Sequence, residues 1–237
     1  MPGTLFLIPT PLGDTPLNRV LPAETQRIAS GLDTFIVEHA KTARAFLKQA
    51  GTATPLQQLT LLELNEHTRA DRLDALLAPL LAGRDVGLLS EAGCPAIADP
   101  GSDLVRLAHA RGIPVKPVVG PSSILLALMS SGMVGQRFAF HGYLPAKQED
   151  RAQALRELEK RSAKEEAAQA FIETPYRNGA MLDTILSTCR DDTLLCVACD
   201  LTLDSEFVVT RGIAEWRDKV PDLRKRPAVF LLYRPAP

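Results

Sequence analysis

Four short segments of the chain combine glycine, proline and small polar residues in a way that suits binding of a small ligand. They are residues 9–14 (PTPLGD), 90–95 (SEAGCP), 120–123 (GPSS) and 173–176 (ETPY). Glycine lets a backbone approach a ligand closely and adopt positive φ, whereas proline fixes a loop before the ligand arrives. Any one segment could be an ordinary tight turn, but four at corresponding places favour a shared binding site.

Each of these segments begins at or just after the end of a short apolar run of the kind that forms a buried strand. Strand-like runs at 5–9, 34–38, 59–64, 86–90 and 114–118 alternate with helical stretches that include 71–81 and 103–111. The second half predicts helices at 123–131, about 150–167 and 177–186, with strands at 138–142, 170–173, 193–199, 206–210 and 228–233. Strand–helix alternation implies a largely parallel sheet, and the closely spaced final strands imply a mixed one.

The sequence therefore predicts an α/β protein of two lobes, residues 1–118 and 119–237. In open α/β sheets, ligands bind beyond the carboxyl ends of the strands. The four small-residue segments lie at such strand ends, so we expect the ligand to bind at these segments.

The familiar catalytic and nucleotide-binding motifs are missing from the chain. It contains no G-x-G-x-x-G after the first strand, no G-x-x-x-x-G-K-[ST], no G-x-S-x-G and no H-E-x-x-H. Cys196 and Cys199 lie in a strand-like run that would place their thiols on opposite faces, and the four histidines are dispersed. We therefore predict no metal site. A reaction that depends on positioning its reactants, such as alkyl transfer from an activated donor, fits this inventory.

Length, composition and charge are those of a soluble globular protein. The 237 residues are 46% hydrophobic, with 27 Lys+Arg against 28 Asp+Glu. This balance disfavours non-specific coating of nucleic acid, although it allows a local basic patch. The charged stretch from 147 to 166 holds six basic and six acidic residues, which predicts a solvated helix face. No apolar run approaches the ~20 residues that cross a bilayer. We expect a cytoplasmic protein with reduced cysteines and no membrane contact.

The small-residue segments are similar to signature segments of a known family. Residues 90–101 (SEAGCPAIADPG) resemble S-D-A-G-T-P-x-I-S-D-P-G, and 9–14 resemble A-T-P-I-G-N. Residues 120–123 resemble a P-G-A-S element, 171–177 (FIETPYR) F-Y-E-S-P-H-R, and 138–145 (FAFHGYLP) F-x-F-x-G-F-L-P. Over nearly its full length the chain thus resembles the tetrapyrrole (corrin/porphyrin) methylase superfamily of S-adenosyl-L-methionine (SAM)-dependent methyltransferases. Within it, the chain is most similar to the branch containing bacterial small-subunit rRNA ribose methyltransferases.

The resemblance implies a two-lobed α/β enzyme, usually a homodimer, with SAM in the cleft between the lobes. Carried over by position, it implies a cofactor site made of Leu12, Gly13, Glu91, Gly93, Ala96, Ile97, Asp99, Ser122, Ser123, Thr174, Pro175, Tyr176, Leu201, Pro227 and Ala228. Ser122 and Ser123 would lie near the amino-acid end of the cofactor. The residues from Thr174 onward would enclose its adenosine.

The chain departs from this branch where an RNA substrate would be engaged. The branch has E-D-T-R where this chain has EHAK at 38–41, and a basic pair after F-L-P where this chain has AKQED at 146–150. A further C-terminal segment of the branch is expected to be absent. The resemblance therefore predicts the cofactor but leaves the acceptor open. An RNA ribose hydroxyl, on a ribosomal subunit, is the first candidate, and a tetrapyrrole-like or other small molecule is the second.

If the acceptor is a hydroxyl, a nearby base would assist the reaction. Asp14, Glu38 and Glu91 are candidates at predicted loop ends, and helix capping or turn chemistry is the alternative for each. Lys41 and Arg44 could hold an anionic acceptor or be exposed residues of one helix. Two other hypotheses stay open. A non-catalytic SAM-binding or RNA-associated module would form no S-adenosylhomocysteine, and a reductase of similar topology would bind nicotinamide.

Overall fold

The computed structural model describes residues 1–65, 67–69 and 72–235. The first residue of the helix predicted over 71–81 lies outside these ranges. The chain divides into two compact units, Met1–Ser122 and Ser123–Pro237. No helix among the described residues is long and apolar enough to cross a membrane.

The first unit is built on a parallel five-stranded sheet. Its elements are β1 (Leu5–Ile8), α1 (Leu17–Val20), α2 (Ala23–Gly31), β2 (Thr34–Val37), α3 (Ala40–Ala50), β3 (Thr60–Glu63), α4 (Leu73–Leu81), β4 (Val86–Leu89), α5 (Ser102–Ala110) and β5 (Val115–Pro117). The strand order is β3-β2-β4-β1-β5, and every pairing is parallel. All carboxyl ends therefore lie along one edge.

Both faces of this sheet are covered, which explains its continuous apolar strands. Every residue of β2 and β4 is buried. Successive side chains of β2 pack on opposite faces of the sheet. Ile36 packs in the cluster that includes α4 and α5, whereas Phe35 and Val37 pack with α2 and α3. Parallel strands buried on both faces have this composition.

The second unit is built on a mixed five-stranded sheet. Its elements are α6 (Ser123–Ser130), β6 (Phe138–Tyr143), α7 (Gln148–Glu165), β7 (Ala168–Glu173), α8 (Asn178–Thr188), β8 (Leu194–Cys199), β9 (Phe207–Gly212), α9 (Ile213–Asp218) and β10 (Ala228–Tyr233). The order is β6-β7-β10-β8-β9, with β6 and β7 parallel and the other pairs antiparallel. The predicted fold class, with a parallel first sheet and a mixed second sheet, is confirmed.

The predicted arrangement of the two strand cysteines is confirmed as well. Cys196 and Cys199 are free and fully buried. Cys199 belongs to the apolar cluster that contains Val197 and Trp216, and Cys196 does not. Burial raises the pKa of Cys199 to about 11, so this thiol is a small core residue rather than a nucleophile.

The prediction that α7 presents its charges to solvent is wrong for two residues. Arg151 and Glu159 are each only 5% exposed. The Arg151 guanidinium donates hydrogen bonds to the Thr184 hydroxyl and to the carbonyls of Ala146 and Ala180. Glu159 accepts hydrogen bonds from the turn between α8 and β8. These bonds offset the cost of burying the two charges.

Candidate functional site

Three loops of the first unit leave the same edge of its sheet. Residues 9–16 follow β1, residues 90–101 follow β4, and residues 118–122 follow β5. Because β4, β1 and β5 are parallel neighbours, their carboxyl ends lie side by side. Three of the four small-residue segments thereby come together, as the sequence predicts.

Backbone hydrogen bonds join the first two loops. The Thr10 amide donates to the Gly93 carbonyl at 3.0 Å, and the Gly93 amide donates to the Thr10 carbonyl at 3.1 Å. The Thr10 hydroxyl also donates to the Ser90 carbonyl at 3.2 Å, and the Ser90 hydroxyl donates to the Gly93 carbonyl. The loops after β1 and β4 therefore form one pre-organised unit.

Gly93 lies where these two loops and the loop after β5 approach one another. Its φ is +78°, and a Cβ there would lie 3.2 Å from Leu12 Cδ2 and 3.6 Å from the Pro121 carbonyl oxygen. The neighbouring Cys94 thiol donates to the same carbonyl at 3.4 Å. A side chain at this position would be strained and would also press on Leu12.

The loop after β4 continues in an unusual backbone conformation. Ala96 and Ala98 have φ of +63° and +60°, and Gly101 has φ of +137°. Left-handed conformations cost a residue with a Cβ about 1–2 kcal/mol. Such strain concentrates at functional sites, where surrounding structure holds it in place. Ile97, between the two alanines, is half exposed.

Three carboxyl groups cluster at the ends of β2 and β4. Asp99 is partly buried, and its Oδ2 is buried without a hydrogen-bond partner among the described residues. Burial, with smaller contributions from Glu38 and Glu91, raises the pKa of Asp99 to about 6. Glu91 accepts a 2.6 Å hydrogen bond from the Thr42 hydroxyl and lies 3.5 Å from His39 Nδ1. The loop after β4 is thereby tied to the start of α3.

The remaining predicted residues of the first unit lie at the same loops. Gly13 and Asp14 are exposed in the loop after β1. Asp14 forms no hydrogen bond or ion pair with the part of the chain that the structure describes, and it is not among the charges that raise the pKa of Asp99. Ser122 is the last residue of this unit, and Ser123 begins α6.

The second unit gathers its predicted residues at one edge of the mixed sheet. β10 runs antiparallel between β7 and β8, with Ala228 opposite Glu173 on one side and Cys199 on the other. The start of β10 therefore meets the ends of its two neighbours. The residues brought to this edge are Thr174, Pro175, Tyr176, Leu201, Pro227 and Ala228.

Hydrogen bonds fasten the loops at this edge to one another. The Asp200 amide donates to the Pro227 carbonyl at 3.0 Å, and Arg226 Nε donates to Asp200 Oδ2 at 2.8 Å. Asn178 Nδ2 donates to the Arg226 carbonyl at 2.6 Å. The Lys225 amide donates to the Pro175 carbonyl at 3.2 Å. These hydrogen bonds link the loops after β7 and β8 to the segment that precedes β10.

Glu173, the first residue of the segment 173–176, holds the residues after it in place, a role that the small-residue pattern does not predict. The Glu173 side chain is fully buried, and its Oε1 accepts from the Thr174 amide at 2.6 Å and from Arg177 at 3.0 and 2.6 Å. An arginine four residues after an acid that closes an apolar run is the signal that could have revealed it. Tyr176, by contrast, is 83% exposed.

Within the described ranges, no three His, Cys, Asp or Glu side chains are grouped so that they could hold a metal ion. The chemistry available is that of shaped backbone loops, one carboxyl group with a raised pKa, and hydrogen bonds. Such loops suit a ligand that is held by shape and by backbone groups.

Comparison with known proteins gives consistent matches over nearly the whole chain. The family of tetrapyrrole (corrin/porphyrin) methylases matches residues 4–215. The chain is 34% identical over 232 residues to ribosomal RNA small subunit methyltransferase I of Xylella fastidiosa, covering 98% of this chain and 81% of that protein. It is 32% identical over 200 residues to the protein of that name from Synechocystis, covering 84% and 67% respectively.

A solved structure, the methyltransferase CobJ, matches the fold with a TM-score of 0.64 at 19% identity. The match covers 98% of this chain and 94% of that one. At this identity the likeness is one of fold.

Proposed function

The chain belongs to the tetrapyrrole (corrin/porphyrin) methylase family of SAM-dependent methyltransferases, and on this basis we propose that it methylates a ribose hydroxyl of ribosomal RNA. The donor and the reaction class follow from the family. The observation that carries the acceptor is the similarity to rRNA methyltransferases along 98% of the chain. If the acceptor is ribosomal, the enzyme acts in the cytoplasm, where ribosomal subunits assemble.

The residues present fit SAM as a cofactor. The missing Cβ of Gly93 leaves room beside Leu12, and the unpartnered Asp99 Oδ2 can accept a hydrogen bond from a hydroxyl or ammonium group. We propose that Leu12, Gly13, Glu91, Gly93, Ala96, Ile97, Asp99, Ser122 and Ser123 hold one part of it, and that Thr174, Pro175, Tyr176, Leu201, Pro227 and Ala228 hold the adenosine. When bound, SAM supplies a methyl group on a sulfonium centre.

The protein's own part in the reaction is to orient the hydroxyl and to take its proton. When the hydroxyl oxygen gains the methyl group, its proton must leave. Glu38 and Glu91 are the carboxylates that would accept it. Asp99, which we assign to SAM, has its pKa raised to about 6 by burial and, to a smaller extent, by these two charges, so it is ionised at neutral pH and can hold a cationic group of the cofactor. Asp14 stays a candidate without a supporting contact.

The experiment has two steps. Calorimetric titration with SAM and S-adenosylhomocysteine first tests the cofactor, with Gly93→Trp as the blocked control. Small ribosomal subunits from cells lacking this enzyme are then incubated with protein and SAM labelled in the methyl group. We expect label in the RNA, within dinucleotides that resist alkali because the 2′-oxygen is methylated.

Other results would point elsewhere. Tight SAM binding without RNA labelling would contradict the proposed acceptor and favour a corrin-like small molecule or a binding module. We also propose a homodimer, which sedimentation equilibrium would test.

A further inference from the structure

Helix α3 carries three exposed cations on one face. Its sequence, AKTARAFLKQA, holds Lys41, Arg44 and Lys48 and no acidic residue. Ala43 and Phe46 are buried against the core, which turns the opposite face to solvent. Positions i, i+3 and i+7 lie along one face of a helix. We call these three residues the α3 stripe.

The cations of the α3 stripe are not paired with acidic side chains of the described residues. None of its three side chains forms an ion pair or hydrogen bond with the described residues. Exposed arginines on other helices behave differently: Arg27 pairs with Glu24, and Arg106 pairs with Asp103. A row of unpaired like charges creates a positive potential along its length, even in a protein of balanced net charge.

The α3 stripe begins beside a loop of the proposed cofactor site. Thr42, next to Lys41, donates a 2.6 Å hydrogen bond to Glu91 in the loop after β4. From Lys41 to Lys48 the helix rises about 10 Å, at 1.5 Å per residue. A row of cations of this length can contact more than one phosphate of a nucleic-acid strand.

We propose that the α3 stripe binds the phosphate backbone of the RNA acceptor next to the nucleotide that is methylated. This inference rests on the proposed function and adds the surface that would hold the substrate. Contacts to phosphate position a protein on nucleic acid without reading its sequence, and flexible lysine and arginine side chains are suited to that task. On the proposed function, the carboxyl groups at the ends of β2 and β4 lie near the reacting hydroxyl, and the α3 stripe begins beside Thr42, which binds one of them.

The test removes the charge and follows salt dependence. In the triple variant Lys41→Gln/Arg44→Gln/Lys48→Gln, binding of a short single-stranded RNA is measured between 50 and 200 mM salt. The slope of log K against log salt is negative, and each lost phosphate contact reduces its magnitude by about 0.7. If all three contacts are lost, the magnitude of the slope should be smaller by about 2 in the triple variant. The KM for ribosomal subunits should rise on the order of tenfold to a hundredfold by the same relation. The Kd for SAM should not change.

A matched control is available on α7. Arg156, Lys160 and Lys164 are equally exposed but are interspersed with acidic residues. Arg156→Gln/Lys160→Gln/Lys164→Gln removes the same charge from a folded helix and should leave the slope and the KM unchanged. Equal losses in the two triple variants would show a general charge effect and overturn the inference. So would an unchanged slope in the α3 variant.

The proposed function and the α3 stripe fail in different ways. If the wild-type protein transfers no methyl group to RNA, the proposed function is refuted, and the binding slope, which needs no catalysis, still decides about the stripe. If methylation proceeds normally in the α3 variant at every salt concentration, the proposed function stands and the stripe is refuted. Wild-type protein that binds no RNA refutes both.

Discussion

Replacing Gly93 by alanine should weaken SAM binding as well as the fold. A non-glycine residue at φ +78° costs about 1–2 kcal/mol. The new Cβ would also lie 3.2 Å from Leu12 Cδ2, which forces Leu12 to move by a few tenths of an ångström. Since Leu12 is itself a proposed cofactor contact, we expect SAM to bind at least tenfold more weakly, or about 1.4 kcal/mol.

Gly51 provides the control for this prediction. It has φ of +70° at the end of α3, and nothing lies within 4 Å of where its Cβ would be. Gly51→Ala therefore carries the same backbone cost, about 1–2 kcal/mol, without the contact. Urea denaturation should show similar losses of stability in the two variants, whereas calorimetry should show a weaker Kd for SAM only in Gly93→Ala.

One result would refute this reasoning. If both variants lose similar stability and both bind SAM as the wild type does, Gly93 is only a turn residue. The approach of the three loops would then have another purpose. If Gly51→Ala alone lost SAM affinity, the proposed site would be misplaced altogether.

Three further predictions concern the same two sheet edges. The folded pKa of Asp99, about 6, exceeds its ordinary value of 3.8, so stability should fall as pH rises from about 4 to 6. In Asp99→Asn this dependence on pH should disappear, and the free energy of unfolding at pH 7 should rise by about 1 kcal/mol after allowance for solvent screening. Denaturation of both proteins from pH 4 to 8 would measure this. Glu173→Ala removes the acceptor of Arg177 and of the turn 174–176. It should lower the free energy of unfolding by about 1–3 kcal/mol in denaturation and weaken SAM binding in calorimetry. Gly120→Ala would place its Cβ 2.5 Å from Pro9 Cβ, so the free energy of unfolding should fall by about 1–3 kcal/mol, which thermal denaturation would show as a lower melting temperature.

The strands were easier to predict than the helices, and the reason is burial. β2 and β4 are buried along their whole length, so each is apolar in the sequence except at Thr34. The sequence suggests a helix through Lys41 and Arg44 but does not define the bounds of α3, because only Ala43, Phe46 and Leu47 are buried in its eleven residues. The helix also begins after His39 without a side-chain cap, so the usual start signal is missing.

The buried charges of α7 show a second limit on what can be predicted from the sequence. Counting acids and bases predicts a solvated helix, but Arg151 and Glu159 fall on the same face as the buried Leu155 and Leu158. Their spacing therefore already places them against the core. What the sequence cannot supply is the partner, because the Thr184 hydroxyl that accepts from Arg151 is 33 residues away.

The two parts of the candidate site depend on different kinds of information. The loops after β1, β4 and β5 depend on backbone shape, such as the positive φ of Gly93 and Ala96, and small residues mark that shape in the sequence. The region after β2 depends on side-chain charge instead, and it is there that the chain departs from the rRNA branch. The hydrogen bond that joins α3 to the loop after β4 comes from Thr42 and not from the three cations. The cations can therefore change without removing this link to the proposed cofactor loops. The choice of acceptor can therefore vary independently of the donor, which is why sequence similarity predicts SAM more directly than it predicts RNA.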